Sequence, residues 1–158
     1  PAPARGQGAL MQDNPRGRLD QAERDKVAGF ADTHPNWDGV IVVPGDPTHW
    51  VHVSAQEVVS FQSFLTFRLA RAFGAGDAMP DETRLGDAMA RPERLAAFLR
   101  SSELGGNRDE VLGTLMGAEL AAAKVFWLGQ QVVVIGHDRM AESYAQALVA
   151  QGVPVERV

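Results

Sequence analysis

Apolar residues form two unbroken runs of strand length, GVIVV at 39–43 and VVVI within QVVVIG at 131–136. Runs of this kind between turn signals predict strands buried on both faces. After the first run, HWVHVS (49–54) and EVVSFQSFL (57–65) are β-branched and aromatic with partial alternation. Ala55-Gln56 between them has the length of a tight hairpin turn but lacks asparagine-glycine chemistry. Residues 39–65 are therefore expected to form a three-strand meander.

Helical spacing brackets these strands. Ala22, Val27, Phe30 and Ala31 predict a helix over Gln21 to Thr33, stopped by His34-Pro35. Leu69, Ala70 and Phe73 predict another from Thr66 to Phe73. PDETRLGDAMARPERLAAFLRSSEL reads as two short helices broken near Arg91-Pro92. Past Gly105-Gly106, Asn107 or Asp109 caps a helix running to about Trp127. Gly113 and Gly117 lie four apart on one side of that helix, which permits close approach of another backbone or of a ligand. After the second apolar run come an amphipathic helix, Met140 to Gln151, and the strand-like VPVERV. Strand, glycine turn, helix and strand make a right-handed β-α-β unit with parallel strands. Residues 1–18, with three prolines and three glycines, read as a linker or extended arm. Residues 19–158 are then one α/β unit.

Composition narrows the function classes. With 158 residues, 45% of them apolar, the chain can bury one substantial core. A net charge of -5, with neither sign gathered in a block, argues against nucleic acid as a partner. The lack of cysteine removes thiolate nucleophiles, zinc-thiolate sites and disulfides, and suits a reducing cytoplasm. No apolar run approaches the roughly 20 residues of a membrane helix, and PAPARGQGALMQDNPRGR has no secretory h-region. A soluble, cytoplasmic protein without membrane partners is expected. Both ends of the chain read as cut from a longer protein.

Open α/β sheets bind ligands at the carboxyl ends of their strands, where this chain carries GDPTH (45–49) and GHDR (136–139). In the first loop Asp46, Thr48 and His49 bring an acid, a hydroxyl and an imidazole within four residues, enough for general base work; Asp46-Pro47 is equally ordinary turn chemistry. In the second, Gly136, His137 and Asp138 open a helix whose amides suit a phosphate, or Asp138 is simply its cap. His52 alternates with Val51 and Val53 and is expected on the more exposed face; no further ligand is spaced to complete a metal site with His49. Thr66 reads as an N-cap and Arg68 as a solvated charge.

WDGVIVVPGDPTHWVHVSAQEVVSFQSFLT resembles a stretch of the 2-dehydro-3-deoxygalactonokinases, sugar-acid kinases of the actin-like ATPase superfamily, whose pattern is WDGVxxLPGTHTKWVxVxxGxVxxFxTFxTGEL. VLGTLMGAEL is similar to that family's SGLLIGAEL helix, and VVVIG with AESYAQALVAQGV to its strand, glycine turn and helix. The resemblance extends from about Asp20 to Val158. It implies an actin-like (ribonuclease H-like) C-terminal lobe, a mixed sheet of a meander plus a β-α-β unit with helices packed on it. The family enzymes are about twice as long, and their N-terminal lobe, with an aspartate-glycine phosphate loop, has no counterpart here.

The resemblance also implies ATP and Mg2+ as cofactors, a sugar acid as the small-molecule substrate, and the N-terminal lobe as a partner. By position it assigns Glu23, Thr48, Ser63 and Thr66 to substrate, Asp46 and His49 to the reacting hydroxyl, and Gly113, Gly117, Gly136, His137 and Asp138 to the nucleotide. Three polar motifs depart from the family's pattern. The threonine, histidine and lysine of PGTHTKW are Asp46, Pro47 and His49; an arginine and a threonine are Gln62 and Ser63; a glycine-glutamate pair is Phe67-Arg68. Losing a fixed cation and inverting a charge alter the field an anionic substrate meets. A kinase lobe and a non-catalytic lobe that keeps the fold as a binding or interaction domain are the two functions to separate. An exposed cleft face would also favour homo-oligomers.

Overall fold

A computed structural model describes residues 1–158. Its central sheet has six strands: β1 (Ala2–Pro3), β4 (Asp38–Val43), β5 (Thr48–Ser54), β6 (Glu57–Phe64), β7 (Val132–Val134) and β8 (Val155–Arg157), in the order β1-β6-β5-β4-β7-β8. A separate hairpin pairs β2 (Leu10–Asp13) with β3 (Arg16–Leu19). Strands β4, β5 and β6 form the expected antiparallel meander. β7 adds parallel to β4, and β8 parallel to β7.

The central position of β4 explains its unbroken apolar sequence. Val40 and Val42 enter one core with Trp50, Val132 and Val134, while Ile41 and Val43 enter the other with Val51, Val53, Phe61 and Val133. Strand neighbours point to opposite faces, so a strand covered on both sides needs apolar residues at every position. Helix α1 (Gln21–Thr33) covers the second face through Val27, Ala28, Phe30 and Ala31. The first face carries α2 (Thr66–Ala72), α3 (Glu82–Ala90), α4 (Leu95–Leu104), α5 (Arg108–Ala122), the short α6 (Lys124–Trp127) and α7 (Arg139–Ala150). The helix expected to run on to about Trp127 ends at Ala122 instead and restarts as α6. No helix is long and apolar enough to cross a membrane.

Residues 1–18, expected as a linker or extended arm, are paired and tied down. β1 extends the sheet beside β6, and the Gln12 side chain both donates to and accepts from the Phe61 backbone. The buried Arg24 guanidinium donates to the carbonyls of Pro3, Ala4 and Gly8 at 2.9 to 3.1 Å. Proline and glycine content hides this order, because a side chain 20 residues away supplies the hydrogen-bond partners that the segment lacks within itself.

The β5–β6 hairpin turns through Ala55 (φ 47°) and Gln56 (φ 67°). Both lie in the left-handed region, as a tight primed turn requires, at positions where glycine or asparagine costs less.

Candidate functional site

Because β4 and β7 are parallel, their carboxyl ends open on the same edge of the sheet. The 44–47 loop and the 135–138 turn lie there, and β6 ends beside them with Phe64 opposite Thr48. Asp20 and Glu23, at the start of α1, bring negative charge to the imidazole of His49. The sequence-nominated loops are thus assembled at one edge, but their side chains divide between the two faces of the sheet.

On the α1 face, His49 is 3% exposed and its Nδ1 shares a hydrogen bond of 2.7 Å with Ser63 Oγ, directly across the strand pair. Burial pushes the imidazole below its ordinary value, and the charges of Glu23 and Asp20 pull it partly back. A neutral, oriented ring results, which lacks the open approach a general base needs. Ser63 and Glu23 remain half-buried.

Thr48 points the other way. Its hydroxyl closes the loop by donating to the Gly45 carbonyl and accepting from the Gly45 amide, both at 3.1 Å. Thr66 is the first residue of α2 rather than its cap; its hydroxyl donates in a very short bond to Glu119. Asp46 forms ion pairs with Arg68, at 3.0 Å, and with Arg71. Arg68, expected as a solvated charge, therefore has a fixed anionic partner. His52 is half-buried, beside Val40, Ser60 and Phe126.

Glu119 is the polar residue that sequence reading passes over. It is 3% exposed on α5 and accepts from Trp50 Nε1 at 2.7 Å, from the Tyr144 hydroxyl at 2.8 and 3.0 Å, and from Thr66. One carboxylate thereby ties β5, α7 and α2 to α5. Burial raises its proton affinity, and the three donors oppose that rise. Tyr144 is pushed well above its ordinary value by burial and by the carboxylate beside it. The available signal was that Glu119 is the single charged residue in VLGTLMGAELAAA.

The five residues assigned to nucleotide separate into two groups. Gly113 and Gly117 are buried under α3, where a Cβ on Gly113 would stand 2.6 Å from Asp81 O and one on Gly117 would meet Leu85 O and, at 2.8 Å, Ala88 Cβ. The close approach that this pair allows is taken by a helix backbone, which leaves no access for a ligand. Gly136 (φ 104°), His137 and Asp138 sit at the surface before α7, with Asp138 accepting from the Ala141 amide as its N-cap. Of the assigned set, only this turn is open to solvent, and its Asp138 carboxylate serves as the helix cap. No three His, Asp or Glu side chains converge to cage a metal by themselves; a Mg2+ carried in with a nucleotide needs fewer protein ligands, because phosphates and waters complete its shell. The largest cavity, about 610 Å3, lies at the opposite edge, between Trp37, Trp127 and Pro154.

A solved structure described as a candidate 2-dehydro-3-deoxygalactonokinase from Sinorhizobium meliloti superposes with a TM-score of 0.79 over 95% of this chain, at 22% identity. The chain spans 58% of that protein's length. No curated protein matches. At this identity the superposition establishes the fold alone, a mixed α/β sheet with helices packed on it, consistent with an actin-like lobe. The family model of 2-keto-3-deoxy-galactonokinase, in which 2-keto names the same carbonyl as 2-dehydro, matches residues 20–74 and 70–158, and the chain belongs to that family.

Proposed function

We propose that the chain is the C-terminal lobe of an ATP-dependent carbohydrate kinase that phosphorylates 2-dehydro-3-deoxy-D-galactonate in galactonate catabolism. The observation that carries this reading is the family match through residue 158, with the nominated loops gathered at one sheet edge. In such a reaction a sugar hydroxyl oxygen bonds to the γ-phosphorus, the bond from that phosphorus to the β-bridging oxygen breaks, ADP leaves and the hydroxyl proton is released. Catalysis is mostly positioning and charge neutralisation, and half of a two-lobed cleft suits that division of labour.

Within this lobe Ser63 faces the sugar acid, oriented by His49, with Glu23 beside it. Thr48 holds the loop, and Thr66 and Glu119 fix α2. The Gly136–Asp138 turn receives the nucleotide, whose bound Mg2+ would neutralise phosphate charge. A second lobe supplies the remaining nucleotide contacts and covers Leu65, Leu69 and Phe73, which are 40 to 45% exposed at helical spacing on and beside α2.

Coupled ADP-release assays on the full-length protein with the sugar acid test the proposal; no turnover would end it. A second reading, a non-catalytic lobe that binds a partner, draws support from the commitment of Asp46 to two arginines and of Gly113 and Gly117 to helix packing. Calorimetry with ATP and Mg2+ separates the two, since micromolar binding by the full-length protein counts against the second.

A further inference from the structure

We infer that Arg68 and Arg71, held by Asp46, form a carboxylate-binding clamp at the mouth of this edge, and that the sugar acid docks its carboxylate there. The inference rests on the kinase reading for the identity of its ligand. Its geometry is independent of that reading.

The two arginines lie three apart on α2, so they share one side of the helix. Each contacts a different oxygen of the Asp46 carboxylate, Arg68 through Nε at 3.0 Å and Arg71 through one terminal nitrogen. The Asp46 side chain is 18% exposed while those of the arginines are 58% and 56% exposed. Neither guanidinium has another hydrogen-bond partner, so each keeps further N–H donors turned to solvent. A guanidinium presents five donors in a rigid fork, and fixing one edge orients the other.

The charge count points the same way. Within the group of Asp46, Arg68 and Arg71, two cations and one anion leave a charge of +1 on a chain whose net charge is -5. A spot of that charge, with planar donors oriented in advance, suits a monoanion such as a sugar-acid carboxylate. Asp46 is thus a positioning residue, and the arginines are the groups that touch the ligand.

The test follows the arginine Nε–H signals of the chain by NMR while 2-dehydro-3-deoxygalactonate is added, with galactitol as the neutral control. The expected result is a saturable shift at Arg68 and Arg71 with the acid and none with galactitol. Affinity should fall about tenfold or more in the double variant R68A/R71A, whose exposed positions leave the fold intact. Asp46→Ala should weaken binding several-fold although it removes a negative charge; tighter binding would overturn the positioning role. Equal affinity in wild type and double variant, or no binding by wild type, overturns the clamp. In the full-length protein, turnover with an unchanged KM for the acid in R68A/R71A removes the clamp and leaves the kinase reading. Arginine-dependent binding without turnover does the reverse.

Discussion

Trp50 donates its indole hydrogen to Glu119 at 2.7 Å across 69 positions of sequence. That bond, with those from Thr66 and Tyr144, makes a buried carboxylate the joint between the sheet and three helices. Removing the acceptor of this buried network costs about 1–3 kcal/mol for each neutral donor it leaves unsatisfied, because those donors have no water to turn to. Glu119→Ala is therefore expected to lower the urea midpoint severely, and Glu119→Gln, which keeps one acceptor oxygen, by less. An unchanged midpoint in the alanine variant would remove the network's structural role.

The same residue sets a pH dependence. Its folded-state proton affinity is raised above the ordinary value of 4.5, so between the two values the folded chain binds more protons than the unfolded one. The stability this contributes is full below 4.5 and is lost as pH rises through the folded value. Denaturation of wild type and Glu119→Gln in parallel should show wild type losing ground as pH rises from that value.

His49 acts with the opposite sign. Burial holds its folded value below 6.5, so its contribution is present above 6.5 and is lost as pH falls through the folded value. Wild type should lose stability relative to His49→Gln on acidification, and the His49 Cε1–H signal should titrate below 6.5. A titration at or above 6.5 would contradict the burial.

At Gly117 an added methyl meets α3, whereas at Gly86, on α3 itself, it meets nothing within 4 Å. Gly117→Ala is expected to cost about 1–3 kcal/mol by overpacking, and Gly86→Ala to add about 0.5–1 kcal/mol through helix propensity. Thermal melts of the two variants provide the comparison. A stable Gly117→Ala protein would reopen the glycine pair to a ligand.

The strained hairpin gives a change of opposite sign. Replacing Ala55-Gln56 by Asn-Gly puts permissive residues at both positive-φ positions. It should raise stability by about 1 kcal/mol, read as a higher urea midpoint with an unchanged slope.

Much of the frame was legible in the chain. A strand buried on both faces has to be apolar at every position, so GVIVV announced the centre of the sheet. Asn107, offered beside Asp109, and Asp138, offered beside a phosphate role, are the caps of their helices, and such starts are legible because a cap is a local bond between neighbours. The N-terminal segment was not legible, since Arg24, the residue that orders it, lies on a helix that follows.

The site was legible only as a location. Sequence placed Asp46, Thr48 and His49 together in one loop; the structure sends Thr48 and His49 to opposite faces, because consecutive strand residues must alternate. It gives Asp46 to two arginines of α2 and Gly113 and Gly117 to α3, partners fixed by how the helices pack. Glu119 shows the same limit from the other side: one acid in an apolar helix is visible in sequence, but its three donors come from three other elements. Periodicity, turns and caps act between near neighbours and so are written along the chain. Which side chains meet across the core depends on register and helix packing, which the folded sheet alone decides.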